Sequence, residues 1–239
     1  MADWRNPQDY DFTQGLTAPQ WAWEFLRRNP VYRLAWQQFI DIWRALEADY
    51  GKPAHRDVAA WQRDPRAWVA AADCRESDCR IEGDRVLIEC ALGAHWGFYK
   101  FPPDPADDEA VAGGRLVWRE VTTEIEQVEA GETTPVEAGK VCLGFDLSLP
   151  LTPQLEQAKR RLQIEQRRLI VEGVVLPPRI EAHAEILAGY LRRLDGQAAG
   201  ATLENIAQVM GESPAECERH LQAALALRDG KYPRLLRLH

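Results

Sequence analysis

One short segment near the C-terminus, Thr202–Leu221, constrains the fold more than any other part of the chain. Its first residue is a good helix cap, and the small Ala207 lies where two crossing helices must approach closely. Gly211 follows four residues later and can adopt the positive φ of a tight turn. Ser213 and Pro214 then favour the start of a second helix, as its cap and its first residue. This order of features predicts a helix-turn-helix unit, and a plain helical bundle is the alternative.

A preceding helix, predicted over about Arg179–Leu194 and ended by Asp195 and Gly196, supplies the third member of a trihelical core. The second helix of such a pair enters the major groove of DNA by its N-terminal residues. The candidate DNA-contacting residues are Thr202, Ser213, Arg219, His220, Gln222, Arg192, Arg193, Lys231, Arg234 and Arg237.

Acidic residues at the start of the second helix count against DNA contact. Glu212, Glu216 and Glu218 would face phosphates unfavourably. The same acidic surface favours protein pairing, so both functions stay open from the sequence. The tail Gly230–Arg237 is interpreted either as a short wing or as a solvated charged segment.

Composition changes along the chain and predicts two domains. Residues 151–239 contain 13 basic and 11 acidic side chains, whereas residues 1–150 contain 16 and 26. The nine tryptophans all lie between Trp4 and Trp118. We therefore expect an N-terminal domain over 1–150 and a C-terminal helix-turn-helix domain over 151–239. The predicted fold class is α+β, mainly α, with a Trp-rich helical region, a small β-sheet and an all-α C-terminal part.

Three helices are predicted between Thr17 and Ala72. Thr17 and Pro19 start a helix that ends at Asn29 and Pro30, because the residue before a proline avoids helical backbone. Further helices are predicted over Val31–Asp49 and near Ala59–Ala72. The middle of the chain then contains strand-like runs. These runs are Arg85–Cys90, His95–Phe101, Arg115–Arg119 and Lys140–Leu149.

Aromatic and basic residues of the N-terminal part are candidates for a protein contact. Tryptophans at helical spacing are typical of a core, and the arginines beside them either pair with acidic neighbours or touch a partner such as RNA polymerase. The candidate partner-binding residues are Trp21, Trp23, Arg27, Arg28 and Arg33.

An amphipathic helix with a basic face is predicted after Pro153. Leu155, Leu162 and Leu169 recur every seven residues. The basic residues of this helix are Lys159, Arg160, Arg161, Arg167 and Arg168.

Several blocks resemble a known family. D-W-R-N-P-Q-D-Y, W-A-W-E-F-L-R-R-N-P-V-Y-R and W-G-F-Y-K-F-P-P-D-P are similar to a proteobacterial transcriptional regulator-like family. R-R-L-D-G-Q-A-A-G-A-T-L-E-N-I-A and G-K-Y-P-R-L-L-R resemble a helix-turn-helix variant found in activators and antiactivators of integrative and conjugative elements. This domain order is similar to that of the fused excision and transfer activator of rhizobial elements. The resemblance implies activation at a promoter of excision genes, and binding to a homologous antiactivator protein.

Chemistry of other kinds has weak support. Cys74, Cys79, Cys90 and His95 invite a zinc interpretation, but their spacing fits unligated thiols better than paired zinc knuckles. The chain lacks the P-loop, zinc-protease and nucleophile-elbow motifs, so we expect neither an enzyme nor a cofactor or metal. No segment has the apolar length of a membrane span or the pattern of a secretory signal. We therefore expect a cytoplasmic protein without a membrane partner.

Overall fold

The computed structural model describes residues 2–71, 81–99, 101–107, 116–120, 140–172 and 179–238. It is mainly α-helical with one two-stranded antiparallel sheet, which confirms the predicted fold class. Residues 1–121 and 180–239 contribute to one compact unit, and residues 122–179 to a second. Within the described residues, no helix is both long and apolar enough to cross a bilayer.

Two N-terminal helices form the base of the first unit. Helix α1 spans Ala18–Leu26 and helix α2 spans Pro30–Tyr50, close to the predicted bounds. The side chain of Asn29 accepts hydrogen bonds from the first free amides of α2, which fixes the start of that helix. Gly51, with φ of +87°, ends it. The apolar face of α2 packs into an aromatic core that includes Trp36, Phe39 and Trp43.

The next part of the chain is less helical than the sequence predicts. Instead of one helix near Ala59–Ala72, the structure has a single turn α3, Val58–Trp61, then a 3₁₀ turn Pro65–Ala67 and strand β1, Trp68–Ala70. Asp64 before Pro65 explains the break, because its side chain caps the 3₁₀ turn by accepting from the Arg66 amide.

Strand β1 pairs with strand β2, Arg85–Leu87, to form the sheet. The predicted strand over Arg85–Cys90 is therefore correct for its first half only, since helix α4 spans Ile88–His95. The predicted strand His95–Phe101 is wrong: in its described part it reduces to an isolated bridge between Phe98 and Trp118. The Phe98 and Trp118 rings also stack, with their centroids 4.3 Å apart.

The predicted strand Lys140–Leu149 is also wrong. These residues are irregular and end in a turn, in which Asp146 accepts hydrogen bonds from the amide and the hydroxyl of Ser148. Helix α5, Leu151–Val171, follows and confirms the predicted amphipathic helix. Both segments belong to the second unit.

The C-terminal part returns to the first unit. A 3₁₀ turn, Ile180–His183, leads into helix α6, Ala184–Ala198, which does not end at Asp195 and Gly196 as predicted. Gly196 has a packing role instead, because a Cβ there would lie 3.1 Å from the buried ring of Trp4. Helix α7 spans Leu203–Met210 and helix α8 spans Pro214–Ala226.

Helices α6 to α8 and the N-terminal helices share one hydrophobic core. Trp4, Leu191 and Ile206 are buried in the same cluster as Trp21 and Phe25 of α1. This grouping differs from the sequence division into 1–150 and 151–239, because residues far apart in sequence close one core. The sequence pattern alone did not reveal that packing.

Candidate nucleic-acid interface

The turn between α7 and α8 has the geometry that the sequence predicts. The Thr202 hydroxyl caps α7 by accepting from the Asn205 amide at 3.3 Å. Gly211 adopts φ of +70° and ψ of +32°, the left-handed conformation that glycine tolerates without cost. Ser213 and Glu216 then form a reciprocal capping box at the start of α8. The positions of both helices relative to the turn are therefore set by local chemistry.

A small apolar core holds the three helices together. Ala207 of α7 is 2% exposed. Each pair among α6, α7 and α8 is in contact. The remaining buried residues of this core are Leu187, Leu191, Leu194, Ile206, Cys217, Leu221 and Ala224. The predicted helix-turn-helix unit is thus present as a trihelical arrangement.

A charged network underlies the turn. Arg193 of α6 donates to both carboxylate oxygens of Glu212 at 2.7 Å, and His220 Nδ1 of α8 lies 2.8 Å from Glu212 Oε2. The side chains of Arg193 and Glu212 are only 7% and 12% exposed. Glu212 in the turn therefore connects α6 with α8, and the guanidinium of Arg193 neutralises its charge.

This environment shifts the pKa values of Glu212 and Cys217. Burial opposes ionisation of Glu212, but hydrogen bonds from Arg193 and His220 outweigh it and lower the pKa of its carboxyl to about 2. Burial, followed by a hydrogen bond to Glu212, raises the pKa of the Cys217 thiol to about 11. Glu212 is thus an anion and Cys217 a neutral thiol at neutral pH.

The outward surface of α7 and α8 is acidic and polar. Glu204, Glu216 and Glu218 are exposed there, and Arg219 is the one Arg or Lys residue in the two helices. The carboxylate of Glu216 is engaged in the capping box, where it accepts from the Ser213 amide. Gln222 is exposed one turn beyond Glu218. Of the three acids predicted to oppose DNA contact, Glu218 alone is both exposed and outside these two networks.

The tail is neither a wing nor a solvated segment. Residues Tyr232–Arg237 form a 3₁₀ helix that packs on α1. Tyr232 is 4% exposed and its hydroxyl donates to the carbonyl of Trp96 at 2.9 Å, while Leu235 is 6% exposed. Both tail predictions are wrong because the apolar residues recur every three positions, which matches the 3.0 residues per turn of a 3₁₀ helix.

Basic residues recur with the same period of three in the sequence of the tail: Arg234 and Arg237 lie one turn apart in the 3₁₀ helix, and Lys231 directly precedes it. Lys231, Arg234 and Arg237 are exposed, and the described residues place no carboxylate within ion-pair distance of any of them. Side chains three apart eclipse each other in a 3₁₀ helix, with a spacing of about 6 Å per turn. We call these three residues the cationic row.

Two predicted DNA contacts are engaged within the fold instead: Arg193 is 6% exposed, and Arg192 is half-buried. Arg193 is occupied by Glu212, and the guanidinium of Arg192 donates to the carbonyls of Trp4 and Arg5. These positions correct the interpretation of Arg192 and Arg193 as phosphate ligands. Arg193 satisfies the largely buried carboxylate of Glu212, and Arg192 satisfies two backbone carbonyls near the N-terminus.

Most of the predicted partner-binding residues are also engaged within the fold. Trp21 and Trp23 are 1% and 0% exposed, so they belong to the core and not to a surface. Arg27 and Arg28 both pair with Glu24, and Arg28 also pairs with Asp195. Arg33 is exposed and donates to the carbonyl of Arg27. Only this last side chain keeps the surface position that a partner contact needs.

An apolar cleft that the sequence analysis missed opens between α2 and α4. It has a volume of about 300 Å³ and is lined by Gln38, Phe39, Ile42, Val69, Ile88, Ala91, Leu92 and His95. No local sequence pattern predicts this cleft, because its lining residues come from three separate elements, α2, β1 and α4. Its lining suits an apolar side chain better than a charged ligand.

Metal ligation has no support in the described residues, which contain no group of three or more His, Cys, Asp or Glu side chains placed to hold an ion. Cys74 and Cys79 of the zinc interpretation lie outside the described residues.

Residues 3–68 match the family model of the proteobacterial transcriptional regulator-like domain. The match covers about a quarter of the 239-residue chain and includes α1, α2 and α3. No curated protein and no solved structure matches the chain significantly. The family match supports a role in regulation, and the match ends well before the helix-turn-helix unit.

Proposed function

We propose that this protein is a transcriptional regulator that binds promoter DNA through α7 and α8. The observation that carries the proposal is the capped, glycine-turned pair of helices, packed in one core with the regulator-like segment 3–68. Helix-turn-helix pairs of this kind place the N-terminal residues of their second helix against base edges.

Base and phosphate contacts have separate sources in this proposal. Arg219 and Gln222, exposed on α8, read base edges, while the caps Thr202 and Ser213 and the partly exposed His220 flank the groove. The cationic row supplies phosphate contacts, because three exposed cations close together in sequence, without an ion pair among the described residues, suit a polyanion.

The genes under control are proposed from the family resemblance. We place the protein as an activator of excision and transfer genes of an integrative and conjugative element, acting without catalysis. Arg33 is the remaining candidate for contact with RNA polymerase, since its guanidinium lies at the surface beside α1.

Fluorescence anisotropy with a promoter fragment from such an element tests the proposal. We expect salt-sensitive binding in which Lys231→Ala, Arg234→Ala and Arg237→Ala together weaken affinity for all sequences. The slope of log affinity against log salt should become shallower by about 0.9 for each phosphate that the variant no longer neutralises. Arg219→Ala should reduce the preference for the promoter over unrelated DNA.

The matched control is a triple variant with the same change in net charge, Arg44→Ala, Lys52→Ala and Arg63→Ala, at exposed positions of the regulator-like segment. It should bind as the unmodified protein does. Absence of binding at low salt, or equally weakened binding in both triple variants, contradicts the proposed interface.

The exposed acids favour a second candidate function. Glu204 and Glu218 give α7 and α8 a negative surface, which suits pairing with a basic protein domain better than with DNA. In this alternative the protein is an adaptor or antiactivator that binds a homologous regulator. Co-purification that resists nuclease treatment and disappears on Glu204→Lys with Glu218→Lys supports it over DNA binding.

A further inference from the structure

Helix α5 exposes an apolar seam that is interrupted by Glu165. None of its residues is buried, and Leu155 and Leu162 are 56% and 41% exposed. Apolar residues alternate along it at intervals of three and four, the a and d positions of a heptad. The a positions are Leu155, Leu162 and Leu169, and the d positions are Leu151, Ala158 and Glu165.

The positions that flank this seam are basic or neutral. The residues at e are Thr152, Lys159 and Gln166, and those at g are Gln154, Arg161 and Arg168. Arg168 is already paired with Glu165 of its own helix and with Glu172, the residue that follows it. Lys159 and Arg161 have no described ion pair, although Arg161 is near enough to help lower the pKa of Glu165.

A second copy of the chain is a poor partner for this seam. In a parallel pair of identical helices, residues at g face residues at e of the other helix, so Arg161 would meet Gln166 and no opposite charges would meet. The Glu165 side chains of the two copies would also face each other at a core position, where like charges destabilise the pair.

We infer that α5 forms a coiled coil with an acidic amphipathic helix of another protein. The partner helix has apolar residues at a and d, Asp or Glu at e and g opposite Lys159 and Arg161, and a basic residue facing Glu165. The e and g residues set partner choice in such pairs, and a charged core residue sets register. This inference goes beyond DNA binding and does not depend on it.

Titration of the full chain with synthetic three-heptad peptides, followed by anisotropy, tests the inference. The acidic peptide carries Leu at a and d, Glu at e and g, and one Lys at its middle d position. A second peptide has Lys at e and g, and a third is a shuffled form of the first. We expect saturable binding of the acidic peptide alone.

Charge reversal provides the specific readout. Lys159→Glu with Arg161→Glu should weaken binding of the acidic peptide by about tenfold and should create binding of the basic peptide. Gain of the second interaction shows that the variant helix is still formed, so the weaker first interaction cannot be ascribed to unfolding.

A matched pair of substitutions tests the seam itself. Leu162→Asn changes an a position, and Ile164→Asn makes a similar change two residues away, off the seam and at a site that is 68% exposed. The first should weaken acidic-peptide binding and the second should not. Equal effects, equal affinity for all peptides, or self-association of the chain that Leu162→Asn abolishes would each overturn the inference.

Discussion

Arg28 Nε donates to Asp195 Oδ1 at 2.8 Å, and Arg28 Nη2 donates to Asp195 Oδ2 at 3.0 Å, across 167 residues of sequence. The hydroxyl of Tyr10 donates to the same carboxylate at 2.6 Å, and Glu24 accepts from Arg28 on its other side. The side chains of Arg28 and Asp195 are 10% and 17% exposed. This network links α1 of the regulator-like segment to α6 of the trihelical unit.

Replacing Arg28 should destabilise the whole first unit. Arg28→Met leaves the carboxylates of Asp195 and Glu24 buried with fewer partners, and breaking a buried pair in this way costs about 3–5 kcal/mol. Urea unfolding followed by tryptophan fluorescence measures the change. Arg44→Met, at an exposed position of α2, is the control and should change stability by less than about 0.5 kcal/mol. A similar small effect for both variants contradicts a stabilising role for the network.

Acidification should weaken the turn at Glu212. Its folded pKa of about 2 lies below the ordinary value of 4.5, so its contribution to stability is present above pH 4.5 and is lost as the pH falls from 4.5 towards 2. Glu212→Gln should therefore be much less stable than the unmodified protein at pH 7, by about 3 kcal/mol, with a difference that shrinks on acidification.

Urea unfolding at a series of pH values measures this difference. Glu218→Gln, at an exposed acid of α8, is the control and should remain close to the unmodified protein throughout. A difference between Glu212→Gln and the unmodified protein that stays constant from pH 7 to pH 3 is the contradicting result.

Thiol labelling should report opening of the trihelical core. Cys217 is 0% exposed and its pKa is raised to about 11, so little thiolate is present at pH 7. Cys142 is exposed. With peptide-resolved mass spectrometry we expect rapid alkylation of Cys142 and slow alkylation of Cys217. Glu212→Gln should speed labelling of Cys217 by loosening the turn. Equal rates in the unmodified protein would refute the buried position of this thiol.

Docking of the tail can be tested through one hydroxyl. Tyr232→Phe removes the hydrogen bond to the Trp96 carbonyl and should cost about 1–2 kcal/mol, because that carbonyl loses a buried donor. Tyr99→Phe, at a side chain that is 37% exposed, is the matched control with no expected effect in urea unfolding. If Tyr232→Phe unfolds at the same urea concentration as the unmodified protein, the tail is not held as described.

Sequence patterns correctly predicted the elements that depend on interactions between residues close together in the chain. The caps at Thr202 and Ser213 and the left-handed Gly211 lie where the residue types require them, because each depends on neighbours within four positions. The strand-like runs were less reliable, because strand pairing depends on partners that are distant in sequence. Arg85–Leu87 pairs with β1, whereas Phe98 forms an isolated bridge with Trp118, whose ring also stacks on the Phe98 ring.

The roles of individual charged residues also depended on contacts that are distant in sequence. From sequence, Arg192, Arg193 and Arg28 were plausible surface cations, and Glu212 was an obstacle to DNA. Residue type cannot show that Arg193 and Glu212 neutralise each other, since their pairing depends on how α6 crosses the turn. The residues of the cationic row were predicted as DNA contacts, and their DNA contact stays a prediction. Their exposure on the docked tail depends on its 3₁₀ conformation.

Local patterns were sufficient to predict the helix-turn-helix unit, the capped N-terminal helices and the amphipathic α5, because hydrophobic periodicity and capping act within a few residues. The core that the regulator-like segment shares with the trihelical unit became visible in the folded chain alone. Trp4 against Gly196 and Arg28 against Asp195 close that core across most of the chain. Such long-range pairs depend on the packing of whole faces, which no local pattern encodes.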